Sequence, residues 1–341
     1  MDSQAPVART GAVRTAAVSV PIESRSAASL PYEEFLSGYV ARNRPLVVRG
    51  AANAWPAMRK WTPQFFAERF PDKLVQVSYD EQMTFAELIA GVLASTATAP
   101  GPYLYRLFLH EHLPEVLEDL SPPNPFSYPR WYASPLMREY WRRPDGYLKL
   151  LVGGIGGRFP VMHYDGENAH ATITQIYGEK EFIVYAPEDS DWLYPNPSRP
   201  NHSQVDDPVL QDLVRFPLLA KATQYRTVLG PGDMVFVPCR FWHSARALSV
   251  SISVGTNILD DTNWRGFLDE VSGRPVLAPK WLLLRAYWEA AGATLAVLDG
   301  VQRRFPRFSR AVRVPALLAP ASSELAPDPA KKPLRIRAPT G

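Results

Sequence analysis

The chain has 341 residues, 46% hydrophobic and 21% charged, with a net charge of +3. That is the composition of a soluble globular protein, and so small a positive excess makes no electrostatic case for a dedicated nucleic-acid binder. Cys239 is the only cysteine, which excludes a disulfide framework and a thiolate zinc cluster; no apolar run reaches the roughly 20 residues that span a membrane, and a reducing cytoplasm fits best.

In chain order, residues 1–26 are rich in Ala, Ser and Arg without a period and read as a disordered arm. "SLPYEEFLSGYVARN" places Tyr32, Phe35, Leu36 and Tyr39 on one helical stripe, and "RPLVVRG" follows as a short apolar strand. "WTPQFFAERF" opens a helix with Thr62 as N-cap and Pro63 at the first helical position. "TFAE" from Thr84 is a capping box ahead of Leu88, Ile89, Val92 and Leu93. From Tyr147 the pattern changes. "YLKLLVGGIGG", "ATITQIYG", "KEFIVYAP", "YRTVLGPGDMVFVP" and "ALSVSISVGTNI" are short β-rich runs divided by Gly and Pro, which suggests a sandwich or a jelly roll. Beyond Asn263 the pattern is helical again. Trp281, Leu284, Trp288, Ala291, Leu295 and Leu298 share a stripe, with Gly292 as an expected weak point. The Pro-rich end reads as disordered.

"RFPVMHYDGENAH" carries the chemistry. In an extended strand, residues i and i+2 share a face, so His163 and Asp165 can converge on one point. A non-haem Fe(II) facial triad needs one more imidazole and open positions. Of the six histidines, His243 in "GPGDMVFVPCRFWHSARAL" is the best third ligand, because the strand before it can return across a jelly roll. His170 reads as either a surface residue or a substrate contact. His110 and His112 read as structural or surface residues, their H-E-H run lacking the spacing of the H-E-x-x-H zinc helix. "GGIGG" lacks both the Walker lysine and the dinucleotide spacing, and reads as strand and turn.

"HYD", "YGEKEFIVYAP", "LGPGDMVFVPCRFWH" and "SVSISVGTN", preceded by "YVARNRPLVVRGAANAWPAMRKWT" and "PYLYRLFLHEHLPEVLEDL", resemble in this order the JmjC-type, cupin-like 2-oxoglutarate oxygenases. In pattern the chain is similar to small hydroxylases such as the asparaginyl hydroxylase that inhibits hypoxia-inducible factor. The resemblance implies a mainly β fold with flanking helices: a double-stranded β-helix (cupin/JmjC jelly roll) core, a helical N-terminal region and a C-terminal helix. It divides the chain into an arm (1–26), a JmjC/cupin-like catalytic domain (27–262, jelly-roll core about 147–260), a helical extension (263–312) and a tail (313–341).

Residue by residue, the resemblance implies His163, Asp165 and His243 as iron ligands and as the catalytic centre. It implies Lys180 and Tyr103 as contacts of the 2-oxoglutarate co-substrate, with Tyr105 a close rival. Asn257 falls near the metal. Pro160 replaces a hydroxyl residue that touches the co-substrate in relatives; for the asparagine that relatives carry between the positions of Asp165 and Lys180, Asn168 is the candidate if the loop folds back, with Thr172 and Thr174 as substitutes. Fe(II), 2-oxoglutarate and O2 are the implied cofactors. The implied reaction hydroxylates a peptide or protein side chain or a small molecule, with succinate and CO2 as co-products. DNA and membranes are not expected partners; a tRNA substrate is open but without support in the residues, and the C-terminal helix is a candidate homodimer contact. Two alternatives stay open: a metal-binding cupin enzyme that does not use 2-oxoglutarate, and a non-catalytic jelly-roll binding protein.

Overall fold

Alternating apolar side chains and the turns between them set the architecture. The structure is a computed structural model describing residues 17–77, 81–128, 131, 148–159, 161–205, 212–272 and 279–304. The strands are β1 (Val18–Pro21), β2 (Ser24–Ser26), β3 (Leu46–Arg49), β4 (Leu74–Gln76), β5 (Gln82–Thr84), β6 (Tyr103–Phe108), β7 (Lys149–Gly153) and β8 (His170–Tyr177). They continue as β9 (Lys180–Tyr185), β10 (Pro195–Asn196), β11 (Arg199–Ser203), β12 (Thr223–Leu229), β13 (Met234–Val237), β14 (Trp242–Ala247) and β15 (Ser251–Ile258). The helices are α1 (Tyr32–Phe35), α2 (Ala57–Lys60), α3 (Pro63–Arg69), α4 (Phe85–Leu93), α5 (Leu109–His112), α6 (Trp264–Ser272) and α7 (Pro279–Arg304).

Two sheets form the jelly roll. One has the order β1-β12-β9-β14, the other β2-β3-β13-β8-β15-β7-β6. Successive side chains of a strand point to opposite faces, and β3 and β13 show the consequence. Val47, Val235 and Val237 face inward with Ala171, Ile173, Phe182, Val184 and Ala245. Leu46, Val48, Met234 and Phe236 face outward, under Phe35, Leu36 and Tyr39. A second outer layer packs Phe66, Phe85, Leu88 and Ile89 on Leu150, Val152, Ile252 and Val254. The small sheet with its loops, the large sheet and the N-terminal helices are thus stacked layers sharing buried faces.

Local signals act where they are read. Thr62 Oγ1 accepts from Phe65 N at 3.1 Å, and Pro63 is the first residue of α3. Thr84 and Glu87 cap each other reciprocally at the start of α4. Gly178 turns β8 into β9 at φ +69, where a Cβ would lie 1.8 Å from Val250 O; only glycine takes this position without rebuilding the turn.

Four expectations are corrected. Val18–Pro21 and Ser24–Ser26, assigned to a disordered arm, are strands: β1 pairs in parallel with β12 and β2 with β3, because those edges offer unpaired backbone groups. The helix from Tyr32 widens into a π-type turn over Leu36–Val40. Leu93 is exposed while Leu88, Ile89 and Val92 are buried. Gly292 leaves α7 unbroken, since its missing side chain makes room for the Trp264 indole, 2.4 Å from where a Cβ would stand. On that helix Trp288, Ala291 and Leu295 are buried and Leu298 is exposed; the Trp281 side chain lies outside the described residues, as do residues 1–16, Pro160 and the tail 313–341. Among the described residues no helix is long and apolar enough to cross a membrane.

Candidate metal centre

Two histidines 80 residues apart meet because their backbones pair. His243 N donates to His163 O at 2.7 Å and His163 N donates to His243 O at 3.1 Å. Residues so paired in an antiparallel bridge project to the same side, and the two rings lie 4.5 Å apart. Asp165, two residues on, returns to that face, while Tyr164 points away against Trp242. His163 Nε2 is 3.5 Å from Asp165 Oδ1, and one ligand atom from each of His163, Asp165 and His243 lies within 4.8 Å of the others.

Hydrogen bonds set which atoms face the centre. The Nδ1 atoms of His163 and His243 lie 3.0 and 3.1 Å from the carbonyls of Val161 and Phe241. A carbonyl only accepts, so each Nδ1 donates there and each Nε2 is the nitrogen turned toward the centre. Burial, with His163 beside it, pushes His243 down to about 4, so at neutral pH it is a neutral imidazole. Burial alone would raise the Asp165 carboxyl; His163, His243 and Lys149 outweigh it and hold the group well below the usual carboxylate range. Two imidazoles and one carboxylate on one face, with the other side open, fit a divalent ion of the non-haem Fe(II) type.

A cavity of about 730 Å³ opens on this face. Tyr103, Tyr105, Phe108, Phe159 and Phe182 line it, with Lys149, Arg199, Asn201, His202 and Asn257 as polar members. Phe159 stacks on His163 at 4.4 Å. Tyr103 fits beside β7 because position 153 is glycine: a Cβ there would stand 2.7 Å from the tyrosine ring. The Tyr103 hydroxyl is buried with no hydrogen-bond partner, and burial pushes its pKa up. Lys180 is fully buried, with Nζ 2.5 Å from Ser253 Oγ and 5.2 Å from the centre of the Tyr103 ring. Burial lowers its pKa to about 7. An orphaned hydroxyl and a desolvated ammonium behind it suit an anionic group such as a carboxylate.

Most other sequence candidates are held by protein groups. Thr172 and Thr174 alternate with the inward Ala171 and Ile173, so both point to the outer face of the large sheet; Thr172 Oγ1 donates to Ser127 Oγ at 3.1 Å. The Asn168 amide donates to Asn263 O at 3.1 Å and pins the loop instead. Asn257 lies beside the candidate metal face, its Nδ2 donating to Asp165 Oδ2 at 2.9 Å. His170 is 1% exposed and structural. Burial opposes a charge on this ring, while Asp260, 3.8 Å from Nε2, draws it toward protonation. Cys239 N donates to Nδ1 at 2.9 Å, however, so protonation would set two hydrogens face to face. The neutral tautomer, with Nε2 3.0 Å from Thr262 Oγ1, satisfies every partner. His110 and His112 sit on α5 beside Glu111, away from the cavity. Sequence reasoning missed Lys149 and His202, which no metal-ligand spacing marks in the chain.

The family of the cupin-like domain matches residues 31–265. The chain belongs to this cupin-like, JmjC-type family. It is 27% identical to lysine-specific demethylase 8 of Xenopus tropicalis over 65% of this chain and 49% of that protein. It is 28% identical to Jumonji C domain-containing protein 5 of Drosophila melanogaster, over 65% of this chain and 56% of that protein. Against tRNA wybutosine-synthesizing protein 5 of Danio rerio it is 27% identical, over 68% and 72%. The chain spans about half the length of the first two relatives.

Proposed function

We propose that this protein is an Fe(II)- and 2-oxoglutarate-dependent oxygenase that hydroxylates a protein or peptide side chain, or a small molecule. The observation that carries the reading is the His163–Asp165–His243 face opening on a cavity beside the orphaned Tyr103 hydroxyl and buried Lys180. Fe(II), when bound, supplies oxygen activation coupled to oxidative decarboxylation of 2-oxoglutarate to succinate and CO2, one oxygen atom passing to the substrate. His163 and His243 would hold the ion through Nε2 and Asp165 through Oδ1. Lys180 and Tyr103 would orient the distal carboxylate of the co-substrate by charge and by an O–H donor. Phe159, Phe182 and Ile173 keep the neighbourhood apolar and dry.

The names of the relatives point to lysine in a protein and to tRNA; the small net charge of this chain favours the protein or a small molecule. We place the work in a reducing cytoplasm, and a homodimer contact on the exposed Leu283, Tyr287, Leu298 and Val301 of α7. The test is an anaerobic titration with Fe(II) and 2-oxoglutarate, followed by oxygen and a panel of peptides, metabolites and tRNA. A visible charge-transfer band, absent in His163→Ala, and succinate release raised by one substrate class are expected. Metal binding without band or succinate would favour a cupin enzyme independent of 2-oxoglutarate; no metal binding would favour a non-catalytic binding protein.

A further inference from the structure

Lys149 begins β7 and stands opposite Gly255 of β15, two residues before Asn257. Its Nζ donates to Asn257 Oδ1 at 2.7 Å, and Asn257 Nδ2 donates to Asp165 Oδ2 at 2.9 Å. Its ammonium stands over the Phe108 ring, 5.6 Å from the ring centre. A carboxamide can face a neighbour with either end, and hydrogen bonding decides which. An ammonium only donates and a carboxylate only accepts. With Lys149 on one side and Asp165 on the other, only one orientation of the Asn257 amide satisfies both. That orientation occupies Asp165 Oδ2 and leaves Oδ1, the oxygen 3.5 Å from His163 Nε2, for the metal.

We propose that Lys149 is a positioning residue for the metal centre, acting through Asn257 to hold Asp165 as a one-oxygen ligand. The inference rests on the metal-binding part of the proposed function and not on turnover. Its sign is opposite to that of simple charge. Removing a cation near a bound divalent ion should, by Coulomb's law alone, strengthen binding. Removing Lys149 takes away the anchor on Asn257 Oδ1, the amide that holds Asp165 Oδ2 is less firmly placed, and binding weakens.

The experiment measures Mn(II) affinity by electron paramagnetic resonance, without 2-oxoglutarate, for the wild type, Lys149→Met, Lys149→Arg, Asn257→Ala and the Lys149→Met/Asn257→Ala double variant. Arg199→Gln, which removes another cavity cation, is the charge control, and thermal melts of the metal-free proteins show that each is folded. Lys149→Met is expected to weaken Mn(II) about tenfold, at the lower end of the effect of removing a group that orients a metal ligand. Lys149→Arg should recover most of the loss, Arg199→Gln should not weaken binding, and the double variant should bind about as well as Asn257→Ala alone. Unchanged or tighter binding by folded Lys149→Met, or losses that multiply in the double variant, overturns the relay. Succinate formation by the wild type tests the oxygenase reading separately, so either can fail alone.

Discussion

Tyr103 and Lys180 pose opposite problems, and the proposed function resolves both with one carboxylate. A buried hydroxyl with no partner loses its hydrogen bonds to water and gains none. Tyr103→Phe removes that penalty, so the metal-free variant should melt at the same temperature as the wild type or higher, while 2-oxoglutarate affinity falls by about tenfold, the worth of one hydrogen bond to a charged group. A lower melting temperature with unchanged affinity would make Tyr103 a packing residue only. Lys180 titrates near 7 when free, below its ordinary value, because burial penalises the ammonium. A carboxylate beside it restores the charge and raises the pKa, so binding takes up a proton above pH 7. Affinity for 2-oxoglutarate should therefore be full below about pH 7 and decline as pH rises from there. Calorimetric titrations in buffers of different ionisation enthalpy read the proton directly. Affinity flat from pH 7 to pH 9 would remove Lys180 from the site.

At the scale of elements, what could be read in the sequence is what neighbours in the chain decide. The caps at Thr62 and Thr84 are settled within four residues, and both form. His163 and Asp165 are two apart on extended backbone, so their convergence needs only the strand period. His243 was within reach because a turn, an apolar strand and an aromatic pair announce its return. Register between distant strands is different. Lys149 reaches Asn257 because β7 pairs with β15, and His202 reaches the cavity because its backbone bridges to His163. No local pattern encodes either pairing. The same limit explains Thr172 and Thr174: their residue type suited a co-substrate, but the pleat of β8 turns both outward. Val18–Pro21 and Ser24–Ser26 carry no strand signal for a related reason, since these strands exist through the edges of β12 and β3 and not through their own composition.

Across the whole molecule, the C-terminal helices brace the loop that follows Asp165 of the candidate metal centre. Glu270 of α6 accepts from Glu167 N at 2.8 Å, and Asn263 O holds Asn168. Helix α6 is itself fixed by Trp264, which packs among Trp131, Phe267 and Trp288 and donates to Trp288 O at 3.0 Å. The metal centre is thus built from the jelly roll on one side and steadied from α7, through α6, on the other. Trp264→Ala and Phe66→Ala each empty a large buried site, one in this brace and one in the N-terminal layer, and each should cost roughly 3–5 kcal/mol of stability. Only the first loosens the Gly166–Ala169 loop. At a temperature where both variants remain folded, Trp264→Ala should weaken Mn(II) binding severalfold, while Phe66→Ala stays within about twofold of the wild type. Equal losses in the two would mean that the centre feels global stability alone, and that the C-terminal helices have no particular hold on Asp165.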